Sequence, residues 1–297
     1  MSLNLAVDIG GTKIAVALVD PDGQLVHRAQ LPTPDGDAEA VWVAVDTLLG
    51  EALRHGPAAA VGVASAGPID LAGGTVSPIN IPQWQHFPIV ERVAASSRLP
   101  VRLGGDGLCM ALGEQWRGAG RDAQFLLGMV VSTGVGGGLV LDGAPYDGRT
   151  GNAGHVGHVV VAPDGGDPCA CGGHGCVETV ASGPSMVRWA RGQGWGGTDA
   201  KALGDAAASG DPLALKAFDR GARAVAATIA SVGAVCDLDL AVIGGGVAKS
   251  GALLFGPLRA ALADYAGLEF LRGLRVVPAE LGGDAGLVGA AALARGL

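Results

Sequence analysis

The fold is decided at residues 3–20, which read LNLAVDIGGTKIAVALVD. Two apolar runs flank a Gly-Gly-Thr turn, so this segment predicts a strand, a tight turn and a second strand. Residues 125–143 repeat the pattern as FLLGMVVSTGVGGGLVLDG, with an apolar strand, a turn rich in Gly, Ser and Thr, and another strand. Two copies of one α/β unit would place both glycine-rich turns at the mouth of a cleft between two domains.

The rest of the chain alternates between helical and strand patterns. Apolar residues recur at a period near 3.6 after Asp37, which is a suitable N-cap, and Asp211-Pro212 is a favourable start for a long helix. Helices are predicted at Asp37–His55, Leu108–Arg117, Asp211–Cys236 and Ala285–Arg295. Further strands are predicted at Ala60–Ala64, Leu99–Leu103 and Leu240–Ile243, and residues 151–197 read as loop-rich. This alternation predicts mostly parallel or mixed sheets covered by helices.

Composition excludes several classes of function. The 297 residues suggest about two domains, and the formal net charge of −8 without a basic run disfavours nucleic-acid binding. The N-terminus has no basic n-region, and the longest apolar tract, Ala224–Cys236, is too short to span a bilayer. We therefore expect a cytoplasmic protein without a transmembrane segment.

The turn after the first strand carries groups that suit a phosphate. Gly10 and Gly11 let backbone N–H groups approach phosphate oxygens, Thr12 and Lys13 can donate to them, and Asp8 can hold Mg²⁺. By itself this turn could equally be an ordinary hairpin. The second turn, with Ser132, Thr133 and Gly134, favours phosphate binding, whereas a dinucleotide fingerprint is disfavoured because both turns lead into a strand.

Three cysteines within eight residues indicate a metal site. Cys169, Cys171 and Cys176 offer thiolates for a structural Zn²⁺, which needs a fourth ligand. The histidines nearby in sequence are His155, His158 and His174, and spacing alone leaves the choice among them open. The alternative is three reduced, buried cysteines without a metal.

Three other segments have both a structural and a functional interpretation. Asp106 lies between a strand and a helix, where an N-cap role is the simpler interpretation. Asn80 can form an Asx turn before Pro82, and Gly244–Gly246 can be a turn that leads into a helix or a loop that admits a nucleoside.

Together these motifs resemble the ROK family of repressors, open reading frames and kinases, with its glucokinases the nearest relatives. The resemblance rests on Asp-x-Gly-Gly-Thr-Lys, Ser-Thr-Gly-x-Gly-Gly-Gly and Gly-His before Cys-x-Cys-Gly-x-x-Gly-Cys-x-Glu, and it spans almost the whole chain. It implies the actin-like, ribonuclease-H-like ATPase fold, with two α/β domains around a cleft. The implied division is residues 1–118 joined by the helix at 284–297, and residues 119–283 with the zinc loop.

The resemblance also implies a role for individual residues. Asp106 becomes the catalytic base of an ATP-dependent sugar kinase, and His158 the fourth zinc ligand, with His174 kept as the alternative. The sugar-binding positions implied are Asn80, Asp106, His155, His158 and Glu178. The implied positions for ATP and Mg²⁺ are Asp8, Gly10, Gly11, Thr12, Lys13, Thr133, Gly134, Gly245 and Gly246. Homodimers are common in the family.

The chain departs from the glucokinase pattern at two positions. His155 stands where the glucokinases have Glu, and Gly105 stands where the family usually has Asn. An imidazole cannot supply two acceptor oxygens, which disfavours glucose and favours another hexose, a modified sugar or a cyclitol. The alternative function is a sugar sensor with weakened catalysis. A repressor is not expected, because repressors of the family carry a winged helix-turn-helix before the first motif and only seven residues precede Asp8.

Overall fold

The computed structural model describes residues 2–295 and contains two five-stranded mixed sheets. The first has the strand order β3-β2-β1-β4-β7. Its strands are β1 Leu3–Ile9, β2 Lys13–Val19, β3 Leu25–Pro32, β4 Ala58–Ser65 and β7 Val101–Gly105. The second has the order β10-β9-β8-β11-β12. Its strands are β8 Leu126–Val131, β9 Val135–Leu141, β10 Ala144–Pro145, β11 Leu240–Gly244 and β12 Arg275–Pro278.

The two sheets share one topology. In each, the first strand pairs antiparallel with the second, so that Ile9 faces Ile14 and Val131 faces Val135 across the two turns. The first strand also pairs in parallel with the strand that follows the hairpin and its crossover, β4 in one sheet and β11 in the other. The repeat of an α/β unit predicted from the two glycine-rich segments is therefore confirmed. A small hairpin of β5 Ile69–Asp70 and β6 Thr75–Val76 lies outside both sheets.

Two of the predicted helix starts, at Asp37 and Asp211, agree with side-chain caps in the structure. The helices are α1 Ala38–His55, α2 Ile89–Ser97, α3 Asp106–Arg117, α4 Glu178–Ala181, α5 Gly183–Gly192, α6 Ala200–Ala208, α7 Pro212–Cys236, α8 Ala252–Tyr265 and α9 Ala285–Ala294. Asp37 accepts a hydrogen bond from the N–H of Ala40, and Asp211 accepts one from Ala214. These side-chain acceptors satisfy N–H groups that a helix start leaves unpaired.

Two of the sequence predictions need correction. The helix predicted from Leu108 begins at Asp106, because Gly105 takes the N-cap position in an extended conformation. The strand predicted at Leu99–Leu103 is β7, which spans Val101–Gly105. Residues 151–197 are loop-rich, as predicted, although they contain α4 and α5, and the Ser182 hydroxyl caps α5 at Ser185. The predicted closing helix is present as α9. Residues 296 and 297 of the predicted segment 284–297, and residue 1 of the first predicted domain, lie outside the described residues.

Two helices, α3 and α9, join the sheets. Helix α9 packs on β1 and β4, helix α3 packs on β8 and β9, and the two helices pack on each other. Glycine permits this approach, because a Cβ at Gly289 would lie 1.6 Å from the carbonyl oxygen of Cys109. The layers therefore run from the first sheet through α9 and α3 to the second sheet. Within residues 2–295 the structure has no helix with the length and apolar character needed to cross a lipid bilayer.

Candidate active site

Asp106 lies where the two halves of the molecule meet. It is the first residue of α3, directly after β7, and its Oδ1 accepts a hydrogen bond of 2.7 Å from the N–H of Gly107. Gly107 packs on the backbone of Gly137 in β9, since a Cβ at Gly107 would lie 2.3 Å from the Gly137 oxygen. Asp106 is not an N-cap, so that structural alternative is wrong. Its carboxylate lies at the positive end of a helix and is accessible to solvent.

Two carboxylates near this point have raised pKa values. Although Asp106 is open to solvent, the protein atoms around it partly desolvate the carboxylate and raise its pKa, and the Gly107 N–H and the nearby His155 imidazole oppose this effect. Burial raises the pKa of Asp8 to about 6, the Asp106 carboxylate adds to this effect, and Lys13 and Arg28 oppose it. A pKa nearer neutrality makes a carboxylate a better proton acceptor at physiological pH. The two acids are near each other because Ile9 pairs with Ser65 and Ser65 pairs with Gly105, so the end of β1 lies two strands from the start of α3.

The raised pKa of Asp8 predicts a pH-dependent effect of Asp8→Asn on stability. A folded-state pKa of about 6, above the ordinary 3.8, means that the neutral acid favours the fold and that this contribution is lost as pH rises through 6. Asn resembles the neutral acid, so the variant is expected to melt above the wild type at pH 8 and near it at pH 4. Melting curves of the ligand-free proteins between pH 4 and 8 test this. Asp35→Asn, at an exposed acid, is the control, and an equal shift at both pH values would contradict the prediction.

The first glycine turn places Asn80 beside the predicted phosphate site. The N–H of Gly10 donates to the Lys13 oxygen at 3.0 Å, and the Thr33 hydroxyl donates to the Gly10 oxygen at 2.6 Å. A Cβ at Gly11 would lie 2.7 Å from the Cβ of Asn80, so this turn has no room for a side chain there. The structure thus brings Asn80 and Gly11 together.

The second glycine turn is held by Glu178. The N–H of Ser132 donates to the Gly134 oxygen at 2.8 Å, and Glu178 Oε2 accepts from the N–H of Val135 at 2.8 Å. A Cβ at Gly134 would lie 2.7 Å from the same carboxylate oxygen. One oxygen of Glu178 therefore stabilises the turn, which is a role that the sequence analysis did not foresee.

A cavity of about 800 Å³ opens beside the second turn. Ser132 and Thr133 line it together with Gly246 and Val247, and the N–H of Val247 donates to the Val131 oxygen at 3.0 Å. The fold thus brings Thr133, Gly134, Gly245 and Gly246 to one place.

Sequence reasoning missed three basic residues of this cavity. They are Arg188, Arg191 and Lys201. Arg188 and Arg191 lie on α5, whose start was signalled by Ser182 at the N-cap and Pro184 in the first turn.

His155 is exposed and has a defined tautomer. Its Nδ1 lies 2.9 Å from the carbonyl oxygen of Asn152, which can only accept, so Nδ1 carries a proton, and Nε2 is the acceptor whenever the ring is neutral. The Asn152 side chain accepts a hydrogen bond from the Ile69 N–H and donates one to the Ile69 oxygen, which links the loop of His155 to the hairpin of β5 and β6. A Cβ at Gly67 would lie 2.9 Å from His155 Nε2, which places this acceptor beside the first unit.

Four side chains have the arrangement of a metal centre. The ligand atoms of His158, Cys169, Cys171 and Cys176 lie within 4.8 Å of one another. Cys169 Sγ is 3.6 Å from His158 Nδ1, and Cys171 Sγ is 3.7 Å from Cys176 Sγ. Thiolates at zinc bonds of about 2.3 Å are separated by about 3.8 Å in a tetrahedron, so the donor set fits Zn²⁺. His174 is exposed and lies outside this cluster.

The repeated sheet topology, with two glycine turns and an acid between them, defines the class of protein. It is the actin-like ATPase fold, in which two α/β units enclose a nucleotide site. The chain belongs to the ROK family, whose model matches residues 4–296.

Several relatives that align along almost the whole chain are named as sugar kinases. A glucokinase of Thermotoga maritima is 36% identical over 97% of this chain and 96% of its own. An N-acetylmannosamine kinase of Escherichia fergusonii is 37% identical over 98% of both chains. A ROK family glucokinase of Streptomyces griseus, solved with glucose and AMPPNP, superposes with a TM-score of 0.85 at 35% identity over 100% of both chains. The predicted family and fold are therefore confirmed.

Proposed function

We propose that the protein is an ATP-dependent kinase that phosphorylates a hydroxyl of a hexose or a hexose-like acceptor, with Asp106 as the base. The observation that carries this proposal is the place of Asp106 at the start of α3: it follows β7, whose end lies two strands from the end of β1, and the next residue, Gly107, packs on Gly137 of β9. The similarity to sugar kinases, one of them solved with an ATP analogue, supports the same reaction.

The proposed reaction uses the carboxylate of Asp106 as a proton acceptor. As the proton of the acceptor hydroxyl moves to Asp106, the hydroxyl oxygen forms a bond to the γ-phosphorus of ATP. The bond between that phosphorus and the bridging oxygen breaks, and ADP leaves with its electron pair. The raised pKa of Asp106 suits this role, because the carboxylate must bind a proton at the moment of transfer.

We assign the two glycine turns to the phosphates and the 800 Å³ cavity to the nucleoside. The assignment for the nucleotide covers Gly10, Gly11, Thr12, Lys13, Thr133, Gly134, Gly245 and Gly246. Asp8 supplies the hard oxygen ligand that Mg²⁺ prefers, and a bound Mg²⁺ would neutralise phosphate charge there. Arg188, Arg191 and Lys201 add positive charge to the cavity wall of a chain that is acidic overall.

The proposed acceptor site consists of Asn80, Asp106, His155, His158 and Glu178. We propose that the acceptor differs from glucose near the anomeric carbon, with N-acetylmannosamine as the first candidate. His155 supports this because it offers a single acceptor atom, Nε2, at an edge where a carboxylate would offer two. Relatives 37% identical to this chain are N-acetylmannosamine kinases, and this similarity makes that sugar the first candidate.

Restoring a carboxylate at this position is expected to change the preferred sugar. In His155→Glu, kcat/KM for glucose should rise at least tenfold relative to that for N-acetylmannosamine, because two oxygens again accept from neighbouring hydroxyls. The measurement is a coupled ADP assay with both sugars, and His86→Asn, at an exposed histidine elsewhere, is the control. A wild type that already prefers glucose, or an unchanged ratio in the variant, would show that His155 does not select the acceptor.

We propose that His158, Cys169, Cys171 and Cys176 bind a structural Zn²⁺ that orders the segment before Glu178. Removing the metal, or introducing Cys176→Ser, should release about one zinc ion and lower activity at least about tenfold, because Glu178 follows the last ligand by two residues. Elemental analysis and the kinase assay measure both effects. Cys236→Ser, at a half-buried cysteine outside the cluster, should change neither. Full activity of zinc-free protein would refute the role of the ion.

The proposal also covers the domain division, the location and the oligomeric state of the protein. The two domains are residues 1–118 with the C-terminal segment 284–297, and residues 119–283; the packing of α9 on β1 and β4 supports this division. The protein acts in the cytoplasm, as the sequence predicts. It forms a homodimer, for which the exposed apolar side chains of Leu268 and Phe270 offer a contact surface, and light scattering would measure the mass.

A weakened sugar sensor is the competing function, because Gly105 and His155 both depart from the glucokinase pattern. A sensor would bind ATP and sugar without consuming ATP. Sugar-dependent release of ADP therefore separates the two functions.

A further inference from the structure

A second cluster of metal-ligating side chains lies outside the proposed active site. His27 on β3 meets Glu51 and His55 from the last turn of α1, and their ligand atoms lie within 4.8 Å of one another. The rings of His27 and His55 stack at a centroid distance of 3.8 Å with an angle of 17°. None of these residues takes part in the proposed phosphoryl transfer or in the cysteine cluster.

His27 holds a polar atom that lacks a partner. Its Nε2 is buried, and no group among residues 2–295 forms a hydrogen bond with it. A buried polar atom without a hydrogen bond costs free energy, so a partner is to be expected. The nearest carboxylate oxygen, Glu51 Oε1, is 3.7 Å away, which is too long for a hydrogen bond.

The same separation suits two ligands of one metal ion. Nitrogen and oxygen ligands at bonds of about 2.0–2.1 Å lie about 3.4 Å apart in a tetrahedron. His55 is exposed, so its ring can turn out of the stack to direct a nitrogen at the ion. The site also lies at the C-terminal end of α1, where the helix dipole favours a positive charge.

We propose that His27, Glu51 and His55 form a second binding site, for Zn²⁺ or a similar divalent transition-metal ion, with water as the remaining ligand. Two imidazoles and one carboxylate suit Zn²⁺, Ni²⁺ or Cu²⁺ and not Mg²⁺ or Ca²⁺, which prefer oxygen ligands. The ion fastens the edge strand β3 to α1. Arg28, the next residue of β3, forms an ion pair of 3.0 Å with Asp284, which precedes α9. The metal ion would therefore stabilise the edge strand that carries this ion pair.

Zinc binding to tag-free, full-length protein tests the proposal. The wild type is titrated with Zn²⁺ against a chromophoric chelator at pH 7.5, and the number of ions per chain is compared with that of His55→Ala and Glu51→Gln. We expect each variant to lose one site, or to bind there at least tenfold more weakly. Addition of Zn²⁺ is expected to raise the Tm of the wild type more than that of the variants. His55 is exposed and its replacement leaves the core intact, so a loss of binding cannot be attributed to misfolding when the circular dichroism spectrum is unchanged.

The comparison does not depend on the cysteine cluster, because it uses the difference between wild type and variant. Cys176→Ser combined with His55→Ala should remove both sites. Equal stoichiometry and affinity in the wild type and His55→Ala would overturn the proposal. So would an equal loss of zinc in the control His86→Asn, at an exposed histidine away from the cluster.

Discussion

Replacement of Asp106 by Asn is expected to lower kcat about 10²–10⁴-fold, the usual contribution of a general base. The amide has nearly the shape of the carboxylate but cannot accept the proton of the acceptor hydroxyl. The hydrogen bond from the Gly107 N–H can still be accepted by the amide oxygen, so α3 should keep its start. Steady-state kinetics measure the loss, and calorimetry with a non-hydrolysable ATP analogue should give a Kd within about twofold of the wild type.

The matched control for this prediction is Asp37→Asn. Asp37 is also an acid at a helix start, but it caps α1 on the surface, and Asn is an equally good N-cap. Its kcat should equal that of the wild type. If Asp106→Asn retained more than a tenth of the wild-type kcat, Asp106 would not be the base.

Replacement of Glu114 by Gln is expected to reduce the free energy of unfolding by about 2–4 kcal/mol. The new side-chain NH₂ group would be buried against backbone N–H groups, and two donors cannot form a hydrogen bond with each other. Glu114 lies in α3, is 0% exposed, and accepts three backbone N–H groups. Leu281 donates to one oxygen at 2.8 Å, and Ala119 and Glu280 donate to the other at 2.9 and 3.1 Å. The amide nitrogen of Gln cannot accept, so at least one of these N–H groups loses its partner.

The position of Glu114 explains why the effect should be large. Its carboxyl group ties the C-terminal half of α3 to the segment that leads into α9, and these two helices join the sheets. Chemical unfolding in urea measures the change. Glu280→Gln is the control, since the side chain of Glu280 is exposed and pairs with Arg121 at 3.6 Å on the surface, where such pairs contribute about 0–1 kcal/mol. A loss below about 1 kcal/mol in Glu114→Gln would contradict this account.

Glu114 also shows where prediction from the sequence ends. Glutamate is rarely buried, so nothing in the local pattern distinguishes Glu114 from a solvated residue of an amphipathic helix. Its partners at 280 and 281 are distant in the sequence and become neighbours only through the packing of α9. The basic residues of the cavity were missed for a similar reason, because α5 and α6 lie within or beside a segment that read as a loop.

Local signals, in contrast, predicted most of the fold. The two apolar hairpins and the caps at Asp37 and Asp211 lie where the sequence placed them, because hairpins and helix starts depend on neighbouring residues. The cysteine spacing likewise indicated a cluster that the structure contains, whereas the choice of His158 over His174 depended on resemblance. The sequence could not predict that Glu178 would hold the second turn, since that contact joins residues 43 positions apart.

The most direct test of the central claim is sugar-dependent formation of ADP by the purified protein. Glucose, N-acetylmannosamine, other hexoses and a cyclitol are supplied with ATP and Mg²⁺, and ADP and phosphomonoester are quantified together. The account predicts that at least one acceptor gives equal amounts of both products, and that Asp106→Asn slows the formation of both at least about a hundredfold while the ATP analogue still binds. Binding of ATP and sugar with no phosphomonoester from any acceptor would contradict it.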